Sequence, residues 1–494
     1  MPEATSTQTQ TTLISLREPQ TPEPPLRETT QWMPDLEEGR RPLHRAIAEA
    51  LEADITSGAL PPGARLPPQR DLAWRLKVNL ATVSRAYALA RERGLVGGEV
   101  GRGTFVLGES ASAGLAPWPP QSDGEDSGDA PVDMANTHPA PVAGPAEVAA
   151  AARALVEAGT GIFAYQPDTA AREHRSQAAR WLQDHGVPAE TGSVLLSTGA
   201  LNGVLAALMA LGRPGDVVLT EALTSPAFKG MAALLGLRLV GVPMDENGLI
   251  PDALAEVLKR EPGAKILLTV PDLHNPTGAT LSAERRQAVI ALAESRALTI
   301  IEDAVYAPLP AFPLPSLKSL APEQVVHVTS LSKIGLPGLR CGMVVPPPRR
   351  REAVLAALRV SCWMAPPPLA AVAARWIEDG TVARLTEAQR LAVLSRRAIA
   401  TQVLGPLTPS PVPPEAAFLW LRLPKGWRGD NFAHVLRQRG VMVTPGEAFA
   451  VDQAHACQGV RLCLGAPSET RLEAALGEVR ALLSESPDRL AVFL

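Results

Sequence analysis

The stretch Ser330–Leu331–Ser332–Lys333–Ile334–Gly335–Leu336–Pro337–Gly338–Leu339–Arg340 gathers the strongest chemistry in the chain. A lysine amine, two preceding hydroxyls and a guanidinium seven residues on share one Gly- and Pro-bearing turn. The amine can form a Schiff base with an aldehyde, and Ser330 and Arg340 can take phosphate oxygens. A surface lysine after a strand is the plain alternative, so the neighbouring motifs decide. Ser197–Thr198–Gly199–Ala200 runs into a helix start, where free N–H groups and the dipole suit a phosphate. His274–Asn275–Pro276–Thr277–Gly278 offers an amide on a turn, or is only a turn. Glu302–Asp303–Ala304–Val305–Tyr306 sets a carboxylate three residues before a phenol. An anion there raises the pKa of a pyridine nitrogen, and Tyr306 can bond a ring oxygen. A capping Asp is the bland reading of Asp303.

The elements that must hold these groups are short apolar runs separated by helical stretches. Val194–Ser197, Asp216–Thr220, Leu237–Val242, Lys265–Val270, Leu298–Glu302, Val325–Thr329 and Cys341–Val345 read as strands. Their alternation with helices predicts an α/β fold with a mostly parallel sheet covered on both faces. Ligands of such sheets sit beyond the carboxyl ends of the strands, where all four motifs fall. Ala417–Leu423, Val441–Thr444, Val460–Leu464 and a helix through Leu483 predict a smaller α+β subdomain, from about residue 346 to 494.

At 494 residues the chain exceeds one core, so two or three domains are expected. Hydrophobic residues make up 46% and charged residues 20%, a globular balance. Four cysteines without a Cys-x-x-Cys pair fit a reduced, cytoplasmic protein, and no signal peptide, metal cluster or membrane span is expected. The net charge of −4 excludes a generally basic protein, so any nucleic-acid footprint must be local. Such a footprint exists. From Arg65 to Arg102 there are eight basic residues against three acidic ones.

The same region has winged helix-turn-helix spacing. Leu43, Ile47, Leu51 and Ile55 form a first helix stripe, and a second helix runs from Pro68 to Leu76. Asn79 caps a third helix with Val83, Ala86, Tyr87 and Ala90 on its inner face. A hairpin with a Gly101–Arg102–Gly103 tip follows. The third helix would enter the major groove, and Arg102 would reach the backbone or minor groove. Residues 1–38 read as a disordered arm, 39–107 as this domain, 108–131 as an acidic flexible linker, and 132–494 as the α/β unit.

The segment LPPQRDLAWRLKVNLATVSRAYALARERGLV…GRGTFV resembles the GntR-type winged helix. That resemblance implies DNA contacts by Arg70, Thr82, Arg85 and Arg102. The family often carries Ser-Arg or Thr-Arg where this chain has Asn79–Leu80. Residues 132 to 494 resemble the class I/II aminotransferases, pyridoxal-phosphate enzymes of fold type I. This implies Lys333 as the Schiff-base lysine, Asp303 at the pyridine nitrogen, and Asn275 and Tyr306 at the ring oxygen. It also implies Thr198, Gly199, Ala200, Ser330 and Arg340 around the phosphate, and Arg461 at a substrate carboxylate. Where the family has a ring-stacking aromatic, this chain has Ser225, with Phe228 three residues on, so either Phe228 takes over the stacking or the ring is held less tightly. A winged helix, an acidic linker and an aminotransferase-like domain together resemble the MocR subfamily of GntR regulators. The likeness implies a homodimeric transcription factor that binds operator half-sites and senses pyridoxal phosphate or an amino compound. The alternative is a working aminotransferase with an added DNA-binding arm.

Overall fold

The computed structural model describes residues 32–34, 36, 42–57, 59–61, 64–92, 95–99, 103–106, 130–166, 171–407, 413–452 and 459–485. They fall into two compact units, Met1–Glu109 and Ser110–Leu494.

In the first unit, helices α1 (Leu43–Thr56), α2 (Gln69–Leu76) and α3 (Leu80–Glu92) precede the strands β1 (Val96–Glu99) and β2 (Gly103–Val106). Ile47 and Leu51 are fully buried against Val83, Ala86, Tyr87 and Ala90, while Leu43, the first residue of the expected stripe, is exposed. Lys77 ends α2 in the left-handed region at φ 54, and Asn79 caps α3 by accepting from the Ala81 N–H at 2.9 Å. β1 and β2 pair antiparallel, from Val96 opposite Val106 to Glu99 opposite Gly103. The expectation that residues 1–38 lack structure fails at Trp32. Trp32 is buried in this core, and its Nε1 donates to Asp54 Oδ2 at 2.8 Å. An indole needs both a packed face and a partner for its N–H, and the first helix supplies both.

In the second unit, the strands in chain order are β3 (Val132–Asp133), β4 (Leu195–Thr198), β5 (Val217–Glu221), β6 (Arg238–Val242), β7 (Met244–Asp245), β8 (Gly248–Leu249), β9 (Ile266–Thr269), β10 (Thr299–Asp303), β11 (Val325–Ser330) and β12 (Cys341–Val345). After them come β13 (Phe418–Arg422), β14 (Val441–Met442), β15 (Thr444–Pro445) and β16 (Gly459–Cys463). Seven strands form the main sheet in the order β4-β12-β11-β10-β9-β5-β6, with β12 running opposite to the other six. Every residue of β9, β10, β11 and β12 is buried, as helices on both faces require.

The smaller subdomain is built from β13, β16 and β15, with β14 paired to β3 from the unit's N-terminal end. Two sequence expectations are corrected here. The strand expected over Val441–Thr444 is split into β14 and β15, which pair with different partners. The subdomain also begins later than residue 346. The helices Arg351–Cys362 and Pro367–Glu378 place Leu355, Leu358, Val372 and Trp376 in the core beside the main sheet. The long helix Thr381–Leu404 crosses from one core at Leu385 to the other at Ala400 and Leu404.

Candidate functional site

The C-terminal ends of β4, β9, β10 and β11 and the start of antiparallel β12 lie along one edge of the main sheet. That edge brings the four motifs together. A cavity of about 170 Å³ opens there, with Asp303, Tyr306, Lys333 and Asn275 in its wall. Ser330, Arg340, Ala200 and Phe228 line the same space.

Lys333 stands on a short 3-10 turn, Leu331–Ile334, that leaves β11. Gly335 closes the turn at φ 104, and a Cβ there would meet Val142 at 2.5 Å, so the turn needs glycine twice over. The Lys333 amine donates to the Thr137 carbonyl at 2.7 Å and to the Thr137 hydroxyl at 2.9 Å, and lies 5.8 Å from the Tyr306 ring centre. The packing around the amine pushes its pKa down to about 8. Thr137 carried no sequence signal. It sits 196 residues upstream, on a segment held against the smaller subdomain by β3.

Asp303, at the end of β10, is only 6% exposed. Burial pushes its carboxyl up to about 7, opposed chiefly by the Val305 N–H, which donates to Oδ1 at 3.4 Å. Burial likewise pushes the Tyr306 phenol up, with the Arg461 charge working against it. Glu302 points to the other face of the strand, where it pairs with His327 at 2.8 Å.

Gly199 leaves β4 at φ 79 and starts the helix Ala200–Leu211. Arg340 Nη2 donates to the Thr198 carbonyl at 3.2 Å, and a Cβ on Gly199 would lie 2.4 Å from that nitrogen. A Cβ on Gly342 would lie 2.4 Å from Ser197 Oγ and 2.6 Å from the Gly199 carbonyl carbon. Two glycines therefore let a helix N-terminus, a guanidinium and the Ser330 hydroxyl crowd one end of the cavity. Ser225 begins the next helix, Pro226–Leu234, and Phe228 is 1% exposed in the cavity wall.

Arg461, on β16, reaches Asn275 Oδ1 at 2.6 Å and the Ala135 carbonyl. Its guanidinium lies 4.8 Å from the Phe449 ring centre. Its Nε is buried with no hydrogen-bond partner. Phe449 was not foreseen. Its loop is tied to the large sheet where the Thr224 N–H meets the Phe449 carbonyl at 2.9 Å and Lys229 reaches the Ala448 carbonyl at 3.0 Å.

In the first unit, Arg70 is exposed on α2, Arg85 is exposed on α3, and Thr82 is half-buried on α3. Arg102 lies outside the described residues. Among the described residues, no cluster of His, Cys, Asp or Glu is arranged to hold a metal, and no helix is long and apolar enough to cross a membrane.

The residues fit pyridoxal phosphate. Asp303 is an enclosed carboxylate with no bonded cation, which a protonated ring nitrogen would supply. Gly199 and Gly342 let the Arg340 guanidinium and the start of the following helix approach each other, a donor set that suits a phosphate. The amine stands in the same cavity. The comparisons agree. The family described as "Aminotransferase class I and II" matches residues 132–479, and "Bacterial regulatory proteins, gntR family" matches residues 43–106. The uncharacterized HTH-type transcriptional regulator YdeF of Bacillus subtilis is 31% identical over 92% of this chain and 97% of its own length.

The chain belongs to the MocR subfamily of GntR regulators.

Another relative of this MocR protein is the HTH-type pyridoxine biosynthesis transcriptional regulator PdxR of Corynebacterium glutamicum, 28% identical over 81% of this chain and 86% of that one. Among solved structures, the α-aminoadipate aminotransferase LysN of Thermus thermophilus superposes with a TM-score of 0.65 at 25% identity, covering 73% of this chain and 93% of LysN. The MocR chain is thus a transcriptional regulator with a GntR-type winged helix and a fold type I aminotransferase domain, whose cofactor is pyridoxal phosphate.

Proposed function

We propose that this MocR regulator couples what occupies the Lys333 cavity to how its winged helix holds operator DNA. The observation that carries the reading is one pair of groups. The Lys333 amine and the Asp303 carboxyl share a cavity, and burial moves both toward neutral pH.

A lysine at about 8 is neutral far more often at pH 7 than one near 10.5, so Lys333 is a ready nucleophile for an aldehyde. Thr137 fixes where that amine points. Ionised Asp303 would accept the hydrogen bond of the protonated ring nitrogen as its counter-ion, and Asn275 and Tyr306 would bond the ring oxygen. Thr198, Gly199, Ala200, Ser330 and Arg340 bind the phosphate. Phe228 packs the ring in place of the aromatic absent at Ser225. When bound, pyridoxal phosphate supplies an aldehyde and an electron-withdrawing ring. Arg461, steadied by Asn275 and Phe449, receives the carboxylate of an amino compound through its planar fork.

On the DNA side, Arg70, Arg85 and Arg102 contact phosphates or base edges, and Thr82 reaches into the groove. The chain acts as a homodimer in the cytoplasm, and its two winged helices meet two half-sites. A ligand moves an equilibrium only by its differential affinity for the two states, so cofactor or amine must bind one DNA-holding arrangement better than the other.

The test is anisotropy of labelled DNA from upstream of the chain's own gene, at moderate salt, with pyridoxal phosphate and amino compounds titrated in. Specific binding whose affinity moves with the ligand is expected. Specific binding that stays constant at saturating cofactor and across a broad amino-acid panel refutes the coupling.

A further inference from the structure

The outer face of α3 holds less polar chemistry than its surroundings. Leu80, its first residue, is 40% exposed. Ala81, Arg85 and Ala88 are exposed at positions i, i+4 and i+7, opposite the buried Val83, Ala86, Tyr87 and Ala90. The polar neighbours of Leu80 are already engaged. The Asn79 side-chain oxygen closes the helix cap on the Ala81 N–H, and the Ser84 hydroxyl donates to Gln69 at 2.8 Å. Thr82 and Arg85 are the side chains on this helix start left for hydrogen-bond readout. Lys77 is exposed three residues before Leu80, and Arg70 is exposed on the preceding helix.

A single exposed leucine needs no explanation by itself. Its place does. The first residues of the third helix of a winged helix-turn-helix are those that meet base edges. A cationic surround suits a polyanion rather than an apolar protein partner. The apolar group that a duplex offers in its major groove is the C5-methyl of thymine.

We infer that Leu80 reads a thymine methyl group, so that each operator half-site carries a T·A pair where α3 enters the groove. This rests on the DNA-reading role proposed above. Arg85 stands one turn further along the same face and supplies the hydrogen-bonded base contact.

The test uses full-length protein loaded with pyridoxal phosphate to select duplexes from a randomised library. Each thymine of the selected half-site is then replaced, one at a time, by deoxyuracil, which removes only the methyl group. At one position the replacement should weaken binding by about 3- to 10-fold, the worth of one buried methyl contact or somewhat more. In Leu80→Ala the same replacement should cost less than about 2-fold, and Leu80→Met should restore the sensitivity. Leu80 is exposed, so the unit should melt normally in both variants. A selected site that tolerates uracil everywhere, or one whose sensitivity survives in Leu80→Ala, overturns the inference while leaving DNA reading intact. A library in which no sequence is enriched overturns both.

Discussion

In the winged-helix unit the functional candidates stand outside the core, with Arg70 and Arg85 open to solvent on helices whose inner faces do the packing. In the aminotransferase-like unit they are inside. Asp303, Tyr306 and Arg461 are 6%, 4% and 6% exposed. The contrast sets the kind of effect that each region can have. An exposed cation acts through a screened field, and its removal subtracts one contact. An enclosed titratable group carries a desolvation cost that its partners offset only in part, so its removal changes cofactor binding, stability and pH dependence together.

The largest effect should come from Lys333→Ala. Wild-type protein incubated with pyridoxal phosphate and gel-filtered should keep a near-visible absorbance band, and the variant should emerge without it while retaining its far-ultraviolet circular dichroism. A band of normal intensity in the variant would erase the contrast, because the buried amine would then be dispensable.

Next in size is the pH dependence of the cofactor-free fold. Asp303 keeps its proton up to about 7 when folded but releases it near 3.8 when unfolded. Between those values the folded state holds more protons, so this group makes stability fall as pH rises from about 4 to about 7. The size is on the order of a few kcal/mol. Lys333 has the opposite sign. Its folded value near 8 against 10.5 unfolded makes stability rise between those two values. Chemical denaturation of wild type and Asp303→Asn across pH 4–8 should show the two curves separating by the Asp303 component. Parallel curves would mean the carboxylate is not the costly group described.

A smaller effect is expected at Phe449→Leu, which keeps an apolar packing group but removes the ring beside Arg461. Loss of the cation–π contact should weaken carboxylate-bearing amino compounds by about 3- to 30-fold. Binding of pyridoxal phosphate alone should be unchanged. Equal losses for both ligands would show the ring serving only the packing of the subdomain.

The smallest change belongs to the exposed side. Arg70→Ala should lower the slope of log affinity against log salt by about one charge, with little change in melting temperature. An unaltered slope removes Arg70 from the interface.

The same contrast governs how much was legible in the sequence. The strand ends and their turns could be read because each is local. An apolar run leads into Thr198–Gly199, Asp303 or Lys333, and the period or the turn chemistry sits within a few residues. The α/β class and the winged helix followed from those runs. Thr137 and Phe449 could not be read that way. One joins the site across 196 residues, and the other packs in a small cluster with Leu223 and Trp420, far from it in sequence on either side. No local pattern marks such contacts. Trp32 was misread because an indole buried by tertiary packing lies in a stretch of disorder-like composition. The subdomain boundary slipped because helix Thr381–Leu404 belongs to both cores, and composition does not change along it.

The central claim is tested most directly by fixing the cofactor where it binds. Full-length protein is loaded with pyridoxal phosphate, reduced with borohydride, digested and mapped by mass spectrometry. The account predicts one phosphopyridoxyl group per chain, on Lys333. An adduct on a different lysine, or a chain that carries none after saturation with cofactor, would contradict it.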